Sequence, residues 1–392
     1  VFSPGIDIFS TTPGLAPLAF AGGLTQTHAL LPNSPAINAG DTNPVSPPEF
    51  DQRGNPFERI FDGKEDAVTE LRMDIGAYEL QGRVYRVDND GDDSDGNYTA
   101  GQLTLREAVE LANLGSLKDF IEFDTTVEAF TGNAQISPSD SLPITDNVAI
   151  LWNGAGQLTL GGSGTVFTIT NGNAATFIDV SISGGDRGVS EIIFAGRNII
   201  NLENLLLETI DMLGNTTSAV THQLGALEVI DCTLTGNIST VSGGAINAQN
   251  AKSVSISYSY FTGNSTAFTG GHGGAIYLKN SPFSGKGVVL ANNLTAAGAS
   301  DGAGIYVDNS GITSGPPEAN DVRFESSVIS GNTTIGANSD GAGIFAKNAD
   351  VYLENFTTVA LNSTFGTNSK GGAIYLNGGG SLTITDNVTF TF

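Results

Sequence analysis

From Gly243 onward, apolar and polar residues alternate in short runs, and the runs return at a nearly fixed distance. GGAI starts at Gly243, GGAIYL at Gly273, GAGIYV at Gly302, GAGIFA at Gly341 and GGAIYL at Gly371. Their isoleucines, Ile246, Ile276, Ile305, Ile344 and Ile374, stand 30, 29, 39 and 30 residues apart. The long interval holds SGITSGPPEAN, whose Pro316 and Pro317 mark a loop insertion, because proline cannot donate to a strand ladder. Between these markers runs a second strand of period two, seen in SVSISYSYF, VYLENF and SLTITDNVTF. In the first of these, Val254, Ile256, Tyr258 and Tyr260 are expected on one face. An asparagine follows this strand in most units, at Asn237, Asn264, Asn293, Asn332 and Asn362.

Each unit has at least two short strands and polar turns, and too few residues to bury an apolar face alone. Stacking supplies the missing partner. The pattern predicts an all-β fold, a right-handed parallel β-helix (a solenoid), with coils ~4.8 Å apart. The isoleucines would then form an inner column. The glycine pairs would sit where the backbone is tight or φ is positive. The asparagines would bond from coil to coil. A leucine-rich repeat needs a Leu-x-x-Leu-x-Leu frame, absent here, and a propeller needs longer blades. Upstream, LPITDNVAILWNG, TVFTITNGN, ATFIDVSISGG and GALEVIDCTLTGN continue the pattern less regularly. Residues 120–392 would make roughly ten coils, a rod of about 50 Å.

One segment departs from period two. In LTLREAVELANL, Leu103 to Leu114, Thr104 and Glu107 form a capping box, and Leu105, Ala108, Val109 and Ala112 share a helical face. A short helix there would cover the open end of the first coil, whose edge groups otherwise invite aggregation. Residues 83–119 are therefore expected to hold a strand, an acidic loop and this capping helix, with 120–392 as the β-helix and a loop-rich segment over 1–82.

Composition supports many strands and tight turns: glycine is 51 of 392 residues, while charged residues are only 15%. The formal charge of −25, from 16 basic and 41 acidic residues, disfavours nucleic acid, which needs clustered cations. It also disfavours anionic lipid, and it serves either solubility or divalent cations. The single cysteine, Cys232, cannot form an intrachain disulfide and reads as a small core residue. No apolar run is long enough to insert in a membrane. The opening VFSPGIDIF lacks the basic region of a signal peptide, so an export signal would lie outside this segment.

Three stretches resemble known families. The acidic loop followed by LTLREAVELAN and DFIEFD resembles the CSLREA-type start of bacterial β-helix surface domains, with Leu103-Thr104 in place of the leading Cys-Ser. The GGAI units, with YFTGN and VISGN, resemble polymorphic outer-membrane protein repeats over 243–392. PLAFAGGLTQTHALLPNSPAINAG, FDQRGNPFERIFDG and DIGAYE resemble the choice-of-anchor Q region over 1–80, with Leu24 where that family usually has proline. In that family the segment closes the C-terminal side of a β-helix. The order is inverted here: a closing element precedes a cap and its coils. The resemblances thus imply an extracellular, bacterial surface protein built as a tandem array or a head-to-tail filament.

On that reading the expected partners are copies of the chain itself, or adjacent repeats of one long chain. Val1, Phe2, Ile6, Ile8 and Phe9 would meet Ile384, Val388, Phe390 and Phe392 at the junction. No cofactor is required. Asp88, Asp90, Asp92, Asp93 and Asp95 in RVDNDGDDSDGNYT are either a calcium site, since calcium takes six to eight oxygens, or a solvated acidic linker. The EF-hand frame fails, because no glycine holds its sixth position. A second acidic set, Asp51, Asp62, Glu65, Asp66 and Asp74, is interleaved with Arg53, Arg59 and Arg72 and reads as ion pairing. Asn-x-Ser/Thr sequons at Asn97, Asn215, Asn237, Asn264, Asn293, Asn332, Asn355, Asn362 and Asn387 are either glycosylation acceptors on a surface fibre or ordinary turn residues. A polysaccharide lyase or hydrolase would need carboxylates or a base repeating at the coil interval, and from Thr240 onward none does. His28 and His222 lack a nucleophile frame, and His272 reads as a loop residue. A structural role is therefore expected rather than an enzyme, with a surface-glycan adhesin as the alternative.

Overall fold

The structure, a computed structural model, describes residues 13–19, 27–31, 34–40, 46–53, 59–60, 73–80, 82–114, 119–152, 154–161, 165–170, 175–178, 180–183, 187–192, 205–208, 211–213, 215, 218–223, 225–312 and 321–391. Parallel pairing organises them. Sheet I has eleven strands, running from β3 (Val84–Val87) through β4 (Asp119–Phe123) to Leu382–Ile384. Sheet II has ten, from Ala134–Ile136 to Thr389–Thr391, and sheet III has nine, from Leu142–Ile144 to Ile374–Asn377. Sheet IV has five two-residue strands, from Ile238–Ser239 to Ser363–Thr364.

Neighbouring strands in every one of these sheets come from successive turns of the chain. That makes the fold a parallel β-helix. Nine turns carry a strand in each of sheets I, II and III, and Leu382–Ile384 with Thr389–Thr391 opens a tenth.

Register explains the repeat. In sheet III, Ile246, Ile276, Ile305, Ile344 and Ile374 are direct parallel partners, and the first four are wholly buried. Each contributes about 2–3 kcal/mol of apolar burial. Phe261, Leu290, Ile329 and Val359 form the matching column of sheet II. The first glycine of each unit, at Gly243, Gly273, Gly302, Gly341 and Gly371, has φ between 59° and 76°, the left-handed region glycine tolerates. At Gly274 a Cβ would lie 2.4 Å from the Ala303 carbonyl oxygen of the next coil, so only glycine allows the coils to stack there.

Upstream irregularity also has a cause. Asn215 and Asn237 occupy equivalent places 22 residues apart, whereas later rungs are 27 to 39 apart. The added residues build sheet IV, which begins only at Ile238.

One expected face is corrected. Val254 and Ile256 point inward, but Tyr258 has φ 52° and Tyr260 is exposed, with Phe261 taking the inner place. The chain turns from sheet I to sheet II at Tyr258, and the left-handed residue inverts the alternation.

The helical cap forms as α1 (Leu105–Ala112), with Thr104 and Glu107 making a reciprocal capping box. Leu105, Ala108, Val109 and Ala112 join the core, and α1 packs on β3, β4 and Leu142–Ile144. Behind it, Phe123, Phe130 and Trp152 pack edge to face. The amino-terminal segment holds an antiparallel pair, β1 (Leu15–Ala19) with β2 (Thr27–Leu30). Its Leu30, Ile37 and Leu80 cluster with Val84 and Phe120, residues of the first two strands of sheet I. The segment therefore rests on the β-helix that follows it.

A buried ionic network fixes its loops. Arg53 pairs bidentately with Asp51, and Arg59 pairs with Glu79 at 2.7 Å. Asp74 accepts from the backbone of Asn38 and Leu80. This is the ion pairing expected of the second acidic set, with Glu79 added. Asp62, Glu65, Asp66 and Arg72 lie outside the described residues, as does the Pro316–Pro317 insertion.

Candidate functional site

The first and last turns of the described residues differ. At the amino-terminal end, α1 lies over the first turn. At the other end, Leu382–Ile384, Thr389–Thr391, Ile374–Asn377 and Ser363–Thr364 are the last strands of sheets I to IV. Leu382 pairs with Val351, Ile384 with Leu353 and Phe390 with Val359. Those three partners are buried because the tenth turn covers them. Leu382, Ile384 and Phe390 stand in the same inner columns yet are 39%, 50% and 36% exposed. Val388 is partly buried against the core. Of the residues predicted for a junction, Ile384, Val388 and Phe390 thus come together on one edge. Val1, Phe2, Ile6, Ile8, Phe9 and Phe392 lie outside the described residues.

The acidic loop uses its carboxylates individually. Asp88 accepts from the backbone of Gly101 and Leu103 at 2.6 and 2.8 Å. Asp92 takes a bidentate pair from Arg106 and two bonds from Ser139. Burial alone would raise the Asp92 carboxyl, but the Arg106 and Ser139 bonds outweigh it and hold it below its usual range. Asp95 accepts from the Asn97 backbone, and the Asp93 carbonyl accepts from Thr104. Asp90 is displayed on the same loop. No group of three acidic, His or Cys side chains converges to hold a metal among the described residues. The calcium expectation finds no gathered ligand set in this geometry. Glu107 on α1 accepts from the Asp95 and Gly96 backbone, so the helix cap also pins the loop.

The sequon asparagines separate into two groups. Asn215, Asn237, Asn264, Asn293, Asn332 and Asn362 form a continuous inner ladder. Each side-chain nitrogen down to Asn332 donates to the side-chain oxygen of the next rung, at 2.8 to 3.1 Å. That oxygen also accepts the rung's backbone N–H. Asn264, Asn293, Asn332 and Asn362 donate as well to carbonyls of the preceding coil, as Asn293 does to Phe261. In the folded coil these six side-chain nitrogens are engaged in the ladder. Asn97, Asn355 and Asn387 are exposed.

Sequence reasoning missed an aromatic column on sheet III. Tyr277, Tyr306, Phe345 and Tyr375 are register partners, and their rings follow one another at 4.8 to 5.6 Å. His272 stacks on Tyr306 at 4.3 Å. The signal was the aromatic after the isoleucine in the last four GGAI or GAGI units, where the first has Asn247. The ring faces are turned toward each other, so the column is a packing device and not a platform for sugar rings.

Burial lowers the His272 imidazole to about 4 and raises the Asp301 carboxyl to about 6. Although Asp301 lies 3.5 Å from His272 Nδ1, that nitrogen accepts the Asp301 N–H, so the two are not an ion pair in the neutral histidine. His222 is buried with Nε2 against the Gly225 carbonyl, and the Cys232 thiol donates to Ile230. The expectation that no carboxylate recurs at the coil interval is corrected: Asp321 stands in register with Asp350 and Glu325 with Glu354 on sheet I, because these strands share one register.

Comparison with known proteins bears on the regular coils. Residues 231–249 and 258–279 match the Chlamydia polymorphic membrane protein repeat. These stretches hold the turn into sheet II, the first sheet IV strands and the first two GGAI units. The match supports the resemblance of the GGAI coils, and it covers neither the choice-of-anchor Q-like nor the CSLREA-like region. No curated protein matches the chain. No helix among the described residues is long and apolar enough to cross a membrane.

Proposed function

We propose that this chain is a structural β-helix of a bacterial surface, whose coils stack end to end on another β-coil to build a stalk or fibre. One observation carries the reading: the inner columns of sheets I and II run in register from coil to coil and continue at Leu382, Ile384 and Phe390, apolar side chains that a further coil would bury. A coil laid on them in register would pair the backbone edge and bury these side chains, the logic of strand addition extended to a whole turn. The covering coil is either an adjacent repeat of a longer polypeptide or a second copy. Surface display is supported by the match to the polymorphic membrane protein repeat.

The 392-residue chain tests this directly. Sedimentation and negative-stain micrographs are expected to show rods that lengthen with concentration. Phe390→Asp is expected to shorten them while circular dichroism stays that of β-structure. Dispersed single rods at every concentration, or unchanged lengths in the variant, would remove the end-on reading.

A further inference from the structure

Over the five coils from Thr233 to Ser369, one side of the β-helix carries no charge. Sheets II and IV, with the turns that join them and lead on toward sheet III, are built in successive coils by residues 233–242, 260–271, 289–300, 328–339 and 358–369. None of these residues is Asp, Glu, Lys, Arg or His, in a chain whose formal charge is −25. The outer columns of the other two sheets differ. Sheet I shows Lys286, Glu325 and Glu354 in register, and sheet III shows Lys279, Asp308 and Lys347. The neutral side has borders. On one edge the residues before the glycine of the last three units, Asp301, Asp340 and Lys370, restore charge, where the first two units have Ser242 and the neutral His272.

The neutral side is also where apolar groups face water. Tyr260 and Val328 are exposed on sheet II, and Ile238 begins sheet IV. Ile335 is 47% and Phe365 is 73% exposed just beyond sheet IV. Their N–H groups bond to the preceding coil at equivalent places, Thr295 and Thr334, so they sit on one column. Leu361 stands at the corner between sheets II and IV. Its equivalents in the coils above are Gly236, Gly263, Asn292 and Gly331, all at positive φ, the conformation glycine and asparagine accept most readily. Leu361 adopts φ 55° there with its side chain 63% exposed. A strained backbone holding an apolar side chain in water is costly for the isolated molecule.

We propose that this neutral side is a lateral interface on which a second copy of the chain lies. Charge selects the occupant. Two bodies each of charge −25 repel across every other side, and screening reaches only about 8 Å at physiological salt. The uncharged side is where two copies can close without opposing carboxylates. Area permits it: five coils at ~4.8 Å, by seven or eight residues at about 3.3 Å each, give roughly 600 Å² per copy. The pair would bury about 1,200 Å², the lower bound for a stable interface. A self-complementary patch of this kind closes as a two-fold dimer. This side-by-side contact is independent of the end-on junction and would bundle stalks.

The experiment uses the 392-residue chain carrying Phe390→Asp, so that end-on growth does not contribute. Analytical ultracentrifugation up to about 100 μM is expected to give a mass near twice 40.4 kDa. The dimer should tighten as salt rises from about 0.05 to about 0.5 M, because repulsion between like-charged copies is screened. Adding Ile335→Glu and Phe365→Glu is expected to return the monomer. Ser255→Glu with Thr383→Glu, on the outer face of sheet I, should leave the dimer intact, with circular dichroism reporting folded β-structure in both. A monomer at every salt, equal dimerisation by the Ile335/Phe365 variant, or a monomer that instead binds neutral polysaccharide would each overturn the lateral interface.

Discussion

At the residue scale, the asparagine ladder shows how one side chain can replace a strand. From Asn264 to Asn362 the carboxamide oxygen takes two donors from the preceding coil, and the nitrogen also reaches back to a carbonyl there. Asn293 accepts from the Asn264 backbone and side chain, and donates to Phe261 and Asn332. Asn293→Ala would strand buried polar atoms on two neighbouring coils. It is expected to cost about 2–3 kcal/mol, read by urea unfolding, since an orphaned buried donor loses its full desolvation energy. Asn355→Ala, at an exposed sequon, should cost less, about 1 kcal/mol, because its φ of 42° suits asparagine better than alanine. The ladder was legible because asparagine recurs in nearly every unit. Which sequons it consumes was not, because burial depends on the direction each asparagine faces at the corner. Tyr258 was misread for a related reason. Its left-handed φ turns the chain, and tyrosine gives no warning of that conformation. His272 and Asp301 act oppositely with pH. The lowered histidine loses folded-state stability as pH falls from about 6.5 toward 4, while the raised carboxyl gains it as pH falls from about 6 toward 4.

At the element scale, α1 is a cap twice over. Thr104 and Glu107 close its own first turn. The Glu107 carboxylate also receives the Asp95 and Gly96 N–H groups, tying the acidic loop to the helix. Arg106 on the same turn holds Asp92 and the Asp140 carbonyl. Glu107→Ala therefore removes more than a capping box. The expected loss is about 2–3 kcal/mol, with faster proteolysis between 88 and 103. Cleavage at the parent rate would show that the loop is held without Glu107. The helix, its cap and its buried face were readable from local spacing alone. The contacts that make it a lid were not, because β3, β4 and the loop meet α1 through pairing distant in sequence. The same limit hid Glu79, which completes the Asp51–Arg53–Arg59 network from 20 residues away.

At the scale of the whole molecule, a solenoid is nearly one-dimensional: each turn is stabilised by the turns on either side. A turn with one neighbour keeps one interface and opens with a low free energy, while an interior turn opens only when several interfaces break. Leu382–Ile384 and Thr389–Thr391 are last in their sheets, whereas Ile276–Lys279 and Ile305–Asp308 are flanked on both sides. Amide exchange in dilute solution should therefore be slowest over 275–308 and quicken toward 382–391. Concentration then separates two causes of that gradient. If the edge is intrinsically frayed, exchange at 382–391 is independent of concentration. If another coil covers it, protection there rises with protein concentration, and Phe390→Asp abolishes the rise while leaving 275–308 unchanged. A lateral dimer shields side chains of sheets II and IV but forms no new backbone bonds at 382–391. Concentration-dependent protection confined to that edge would thus identify end-on joining, because only a paired strand can lock those amides.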